Sequence, residues 1–294
     1  VKLKTHLRRA GYGLLSTLGP LAAASTRTHL RVLAYHTVPD PAAYERQLRY
    51  LQRNYHVISL DELLSAVNDR RALPPDSVLI TFDDGDISVY DNGLPLHRKY
   101  GLPAVLFIIT DLIDSATPFW WKRVEAHYRA TGQAHAAARQ KVSELKTLPN
   151  RERETYLAGL PPYEQRQLTR SQLSELADGG FALANHTATH PIISNCETGE
   201  VRKEVSRAAR YLRELPVPAY PDVFAYPNGN SSDESERILR DEGIRMTFLF
   251  DHALEKDYLR PAPISRIRTN TYDGLPEFRA KVAGVHPLLY KLSQ

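Results

Sequence analysis

A single cysteine, Cys196, in 294 residues leaves no intrachain disulfide framework to build, though it says little about compartment. Acidic residues are missing from residues 1 to 31, which hold Lys2, Lys4, Arg8, Arg9, Arg27 and Arg31. There is no long basic run interleaved with aromatics, and the formal charge of +4 is mild, so nucleic acid is a poor partner. No internal repeat or low-complexity tract occurs, and nothing in the composition points to disorder or a fibre. No apolar stretch spans a bilayer: the longest candidate, Gly11 to Ala24, is short and interrupted by Gly13, Ser16, Thr17, Gly19 and Pro20. What is present is ordinary for a soluble protein, 42% apolar and 24% charged, with length enough for one large domain or two small ones.

Residues 1–30 form a basic segment with two readings. Leu3, Leu7, Leu14, Leu18 and Leu21 recur at helical spacing, so the segment can lie as an amphipathic helix on anionic lipid, giving a peripheral membrane contact through residues 1–25. The basic start, the apolar stretch and the small residues "AAAS" also suit a secretory signal. The first reading is favoured and places the chain in a bacterial cytoplasm or at the inner-membrane periphery. The second exports it to the periplasm.

Beyond this segment, short apolar runs rich in strand formers end abruptly in polar residues. They are "LRVLAYH" to His36, "SVLITFDD" to Asp84, "FALANHTATH" to His190 and "DVFAYPNGN" to Asn230, with further strands expected in "LPAVLFIIT" (102–110) and "IRMTFLF" (244–250). Helical patterns alternate with them at 44–55, after Ser59, before Gly179 and Gly180, at 200–215 and at 235–243. Such alternation predicts an α/β fold with a parallel sheet and helices outside it. Residues 115–170 break the pattern and read as a helical insertion, inside which Trp120 and Trp121 are either core packing or a sugar-stacking platform. The expected organisation is a core over 31–275 and a tail over 276–294.

In parallel α/β architectures functional groups gather at the carboxyl ends of strands. His36, Asp83, Asp84, His186 and His190 would then share one rim. Two imidazoles and one carboxylate suit a divalent ion and leave the second carboxylate free as a base. Thr187 follows His186 where a zinc-protease helix has Glu, and Pro191 argues against an extended helix, so the two histidines belong on a loop. Asp86 reads as a turn residue.

These residues resemble the polysaccharide deacetylases of the NodB-homology group. "TFDDG" at 81–85, "HTATH" at 186–190 and "YDNGLPLHRKYGLPAVLFI" at 90–108 are similar to that family's motifs, helix and second strand. The resemblance implies a distorted (β/α) barrel, with Asp83 as general base and Asp84, His186 and His190 as metal ligands. The ion would be zinc first, with cobalt, nickel, manganese or iron as others. The implied substrate is an N-acetylated glycan, polymeric or lipid-linked. Many members carry their acid His on a C-terminal strand, but the late candidates His252 and His286 do not sit in such a strand. "VLAYH" instead is similar to a permuted subgroup whose corresponding strand comes first, which makes His36 the expected acid.

The third family motif departs from the pattern. Where many members have R-P-P-[FY]-G this chain has Ala225, Tyr226, Pro227, Asn228 and Gly229, so the Arg that would orient the base is absent and Arg266 is the expected substitute. The resemblance implies that a backbone N–H in the Tyr226, Pro227, Asn228 turn, around Asn228, faces the oxyanion, a contribution that does not depend on side-chain type. Two rivals remain: a non-heme iron oxygenase, disfavoured by the parallel alternation, and a degenerate glycan-binding or assembly protein on the same fold, motivated by the missing Arg.

Overall fold

A computed structural model describes residues 26–260 and 263–285, so the basic segment over residues 1–25 and His286 lie outside the described residues. Among the described residues eight strands pair in parallel: β1 (Arg31–Tyr35), β2 (His56–Ile58), β3 (Ser77–Phe82), β4 (Ala104–Ile108), β5 (Phe181–Asn185), β6 (Ala219–Ala225), β7 (Met246–Phe248) and β8 (Ile267–Arg268). Their order is β7-β6-β5-β4-β3-β1-β8, with β2 against β3. The two ends of this order are tied together. Leu249 N–H donates to the Ile264 carbonyl (2.9 Å) and Ile264 N–H to the Thr247 carbonyl (2.8 Å), just before β8 begins. The sheet thus curls into an irregular barrel. The strands are apolar in sequence because both faces are covered.

One face looks inward and the other meets the helices. Val32, Leu79, Val105, Phe107, Ala184, Val223 and Phe248 fill the inner cluster. Leu33, Tyr35, Val78, Ile80, Phe82, Leu106, Ile108 and Leu183 pack outward against helices α1 (Pro41–Asn54), α3 (Leu94–Tyr100) and α7 (Arg170–Asp178). Between α1 and α3 runs α2 (Leu60–Asn68). Local chemistry sets where these helices start: Asp40 accepts from Ala43 N–H at the head of α1, and Ser59 with Glu62, then Thr169 with Gln172, form capping boxes at α2 and α7. The helical insertion is α4 (Trp120–Ala130), α5 (His135–Leu145) and α6 (Asn150–Ala158), which share a cluster of Trp120, Val124, Leu145, Leu157 and Leu160. Two more helices, α8 (Thr198–Arg213) and α9 (Asp233–Asp241), pack on each other, and α8 lies on β5 and β6. No helix among the described residues is long and apolar enough to cross a membrane.

The far end differs from the expected tail over 276–294. Leu275–Val282 is a helix, α10, whose Phe278 and Val282 are fully buried in the outward core cluster. An apolar pair three to four residues apart reads equally as tail or helix until α1 is there to receive it. The short strands β2 and β8 also escaped the sequence pattern, since two or three residues carry no period.

His97 of α3 sits wholly inside this core. Its Nδ1–H donates to the Leu102 carbonyl (2.7 Å) and its Nε2 accepts from the Tyr44 hydroxyl (2.8 Å). Burial outweighs the help of the carbonyl and pulls its pKa down from 6.5 to about 4. The unfolded chain therefore binds one more proton than the folded chain between those values, and stability falls as the pH drops from 6.5 to 4. The linked loss is roughly 3 kcal/mol, at about 1.4 kcal/mol per pKa unit. Urea unfolding across that window should show this slope in the parent and a flatter one in His97→Gln; equal slopes would refute the linkage.

Candidate active site

The adjacent carboxylates of "TFDDG" part company because the chain turns between them. Asp83 N–H donates to the Tyr35 carbonyl (2.9 Å), extending the β3–β1 pairing by one residue, and then Asp84 (φ 72°) and Gly85 (φ 80°) take left-handed conformations. The turn aims the two side chains at different partners. Asp83 points to Arg266, which reaches it from just before β8: Nη1 donates to Oδ1 (2.7 Å) and Nη2 to Oδ2 (2.8 Å). Nη1 also meets Thr81 Oγ1 (3.2 Å), and Nε donates to the Leu249 carbonyl (2.5 Å). Asp83 is 3% exposed and Arg266 not at all. Burial works against the carboxylate, but the guanidinium outweighs it and holds Asp83 below the usual carboxylate range. The motif Arg missing beside Tyr226 is thus replaced in space by one from the other end of the sheet.

Asp84 faces the histidines. Its Oδ1 lies 3.4 Å from His186 Nε2 and 3.4 Å from His190 Nε2, and one ligand atom from each of the three residues falls within 4.8 Å of the others. Asp84 Oδ1 and His186 Nε2 are buried with no hydrogen-bond partner. Two ligands at about 2.0–2.1 Å on a tetrahedral ion lie about 3.4 Å apart, so the separation fits a shared divalent ion. The tautomer fits as well: His186 Nδ1–H donates to the Ala225 carbonyl (2.8 Å), leaving the Nε2 lone pair towards the cluster. Burial opposes ionisation of Asp84, but the neighbouring imidazoles hold its pKa well below the usual range, while burial pushes His190 down to about 3. The three groups turn one carboxylate oxygen and two imidazole nitrogens towards one another.

The "HTATH" loop is held by its own polar residues. Thr187 (φ 69°) and His190 (φ 63°) are left-handed, Thr187 N–H donates to Asn185 Oδ1 (2.9 Å), and His190 N–H to Thr187 Oγ1 (2.9 Å). Glu204 of α8 accepts from the N–H groups of Ala188 (3.1 Å) and Thr189 (2.8 Å). The insertion adds a third hold, since Trp120 Nε1–H donates to the His190 carbonyl (3.2 Å) and the Trp121 ring lies 4.8 Å from the imidazole. The expected pair of tryptophans therefore divides: Trp120 packs and Trp121 lines the pocket.

The pocket above these groups has a volume of about 320 Å³ and takes in His36, Asp83, Asp84, His186, His190, Tyr226 and Asn228. His36, from the end of β1, is half-buried and packs edge-on against Phe250, with ring centroids 5.5 Å apart. In the turn after β6, Tyr226 has no donor to spare. Its N–H goes to the Phe248 carbonyl (3.1 Å) and its hydroxyl to Glu236 (2.6 Å). Pro227 has no N–H, which leaves Asn228 (φ 60°), whose N–H makes no hydrogen bond among the described residues. Gly229 lets this turn approach Phe250, because a Cβ there would come within 2.4 Å of the Phe250 Cβ. Asp86 accepts from Ser88 N–H (2.9 Å), as a turn residue does, and His252 does not line the pocket. Sequence reasoning missed Lys146 and Arg268, which do. Their only sequence signal is charge, which surface residues share.

Removing Arg266 would leave a buried carboxylate without its cation. Arg266→Met should cost about 3–5 kcal/mol in urea unfolding at neutral pH, and less as the pH falls and Asp83 protonates. A variant as stable as the parent at every pH would show that the pair is not holding a charge.

With this geometry in place, comparison with known proteins shows what the chain is similar to. Residues 70–247 match the sequence profile of the polysaccharide deacetylases. The poly-beta-1,6-N-acetyl-D-glucosamine N-deacetylase of Escherichia coli (strain K12) is 25% identical over 241 residues, 76% of this chain and 34% of that protein. The enzyme of the same name from Staphylococcus epidermidis is 23% identical over 211 residues, 70% of this chain and 58% of that protein. The match thus takes in about a third to three-fifths of those relatives. Among solved structures, Streptococcus pyogenes deacetylase PplD in complex with acetate superposes with a TM-score of 0.62 at 19% identity, over 88% of this chain and 99% of that one. IcaB from Ammonifex degensii gives 0.62 at 20%, over 87% and 96%. These likenesses bear out the parallel-stranded, helix-covered barrel. The profile covers more than half of the sequence, and the chain belongs to the polysaccharide deacetylase family.

Proposed function

We propose that this chain is a divalent-metal-dependent hydrolase, with zinc as the ion, that removes acetyl groups from N-acetylated sugars of a polysaccharide. The observation that carries the reading is the division of labour between neighbours: Asp83 is committed to Arg266 and Asp84 to the two imidazoles. A protein that merely binds glycan has no use for an ionised base beside a metal cluster. Relatives named as poly-beta-1,6-N-acetyl-D-glucosamine N-deacetylases support an N-acetylglucosamine polymer as the substrate class. Arg266 also answers the missing motif Arg that motivated a degenerate binding role.

Asp84, His186 and His190 would hold the ion. Bound there, it supplies Lewis-acid polarisation of the acetamide carbonyl and of water. The chain's own residues do the rest. Asp83 stays ionised at neutral pH through Arg266 and takes the proton of the attacking water, while the two guanidinium bonds keep its carboxylate from rotating. The Asn228 N–H, turned out of the local hydrogen bonding by its left-handed backbone, donates to the oxygen on which negative charge develops. His36 gives the proton that the departing amine needs, from the pocket wall.

Zinc titration and acetate release from N-acetylglucosamine oligomers test these roles together. The parent should bind one zinc and lose activity to a chelator. Asp84→Ala and His186→Ala should lose zinc and activity alike; stoichiometric zinc in both would overturn the ligand set. Asp83→Asn should keep zinc while turnover falls about 100-fold or more, the range expected for loss of a base. His36→Ala should fall by a similar factor with zinc retained, and full activity would remove His36 as the acid.

A further inference from the structure

The pocket holds two cations that the chemistry above does not use. Lys146, at the C-terminal end of α5, and Arg268, in β8, both line it. Among the described residues the pocket's carboxylates are Asp83, saturated by Arg266, and Asp84, which faces the imidazoles. Neither Lys146 nor Arg268 has an ion-pair partner among the described residues. Lys146 Nζ donates to the neutral Oδ1 of Asn228 (2.8 Å), across the pocket from its own helix. Arg268 is exposed at the pocket mouth and lies over the Phe250 ring, 5.6 Å from its centroid.

A lysine at a helix end ordinarily serves that helix's carbonyls and dipole. Here that service is supplied otherwise, since Asn195 Nδ2 donates to the carbonyls of Lys146 (2.8 Å) and Leu148 (2.9 Å). The ammonium instead leaves its helix for a half-buried position in the pocket wall, where burial disfavours its charge, the field of Asp84 favours it and that of Arg268 opposes it, with the net effect of pulling its pKa down. The two cations repel each other across the pocket, and the neutral amide of Asn228 does nothing to offset that repulsion, whereas an anion would. A neutral acetamido sugar brings none.

We propose that Lys146 and Arg268 bind an anionic group of the substrate, so that the glycan is acidic, with a carboxylate or phosphate on or beside the acetylated sugar. This deepens the deacetylase reading and rests on it for the identity of the reacting group. The charge comes either from a uronate in the polymer or from a glycosyl phosphate, and the anion site is common to both.

The test uses the zinc-loaded protein and three probes: a hyaluronan tetrasaccharide for the carboxylate, N-acetylglucosamine 1-phosphate for the phosphate, and neutral chitotetraose. Binding is read by tryptophan fluorescence on rapid mixing, before turnover, and acetate release is followed separately. At least one acidic probe should bind about tenfold more tightly than chitotetraose at low salt, and that ratio should shrink at high salt. Lys146→Met and Arg268→Gln, checked for folding by thermal melting, should each bring the ratio towards one. Equal binding of acidic and neutral probes, or a Lys146→Met loss that is the same for all three, overturns the proposal. Acidic selectivity without acetate release would uphold the anion site and fail the hydrolase reading. Acetate released from chitotetraose as efficiently as from the acidic probes, with no selectivity in binding, would do the reverse.

Discussion

The site depends on the buried pair between Asp83 and Arg266. Its partners stand at the end of β3 and the start of β8, with β1 between them in the sheet, and the same guanidinium reaches the carbonyl of Leu249 just after β7. One side chain therefore ties together the strands where the curled sheet closes and settles the ionisation of a group at the pocket floor. Two parallel bonds to a planar cation fix the carboxylate in orientation as well as charge, which a lysine could not do.

The remaining polar contacts around the site work by the same economy, each group holding a neighbour in place. Glu204 takes the two amides that the histidine loop leaves open, Ala225 sets the tautomer of His186, and Asn185 and Thr187 cinch the turn between the two histidines. Asp84, Thr187, His190 and Asn228 all adopt left-handed backbone conformations without being glycine. Each such conformation costs on the order of 1–3 kcal/mol, and it persists because the surrounding contacts overdetermine it. Four of them around one pocket mark where the fold gives up local comfort to point side chains.

The helical insertion belongs to this arrangement. Its Trp120 holds the backbone of His190, its Trp121 covers the ring, and Lys146 reaches the opposite wall at Asn228. A segment that interrupts the strand and helix alternation thus builds one side of the pocket and leaves the parallel sheet unchanged. Charge in the pocket accordingly has two origins: the ends of β1, β3 and β5, which carry the histidines and carboxylates, and the insertion with β8, which carry Lys146 and Arg268, cations with no ion-pair partner among the described residues.

By itself the sequence determined the parallel alternation, the ends of the main strands, and the groups placed there: Asp83 and Asp84 after β3, His186 and His190 after β5, His36 after β1. These were legible because they are local. A buried strand must be apolar, a turn must follow it, and the residue types after the turn are read directly. The sequence offered Arg266 as a substitute cation on charge alone, and only the tertiary structure showed it meeting Asp83 across 183 residues, Trp121 lining the pocket while Trp120 packs, and Leu275–Val282 as core helix. It also decided that Tyr226 has already spent its hydrogen on Phe248. None of these follows from spacing along the chain, because a long-range pair is set by which strands become neighbours when the sheet closes, and a charge or an indole carries no local mark of the partner it will meet.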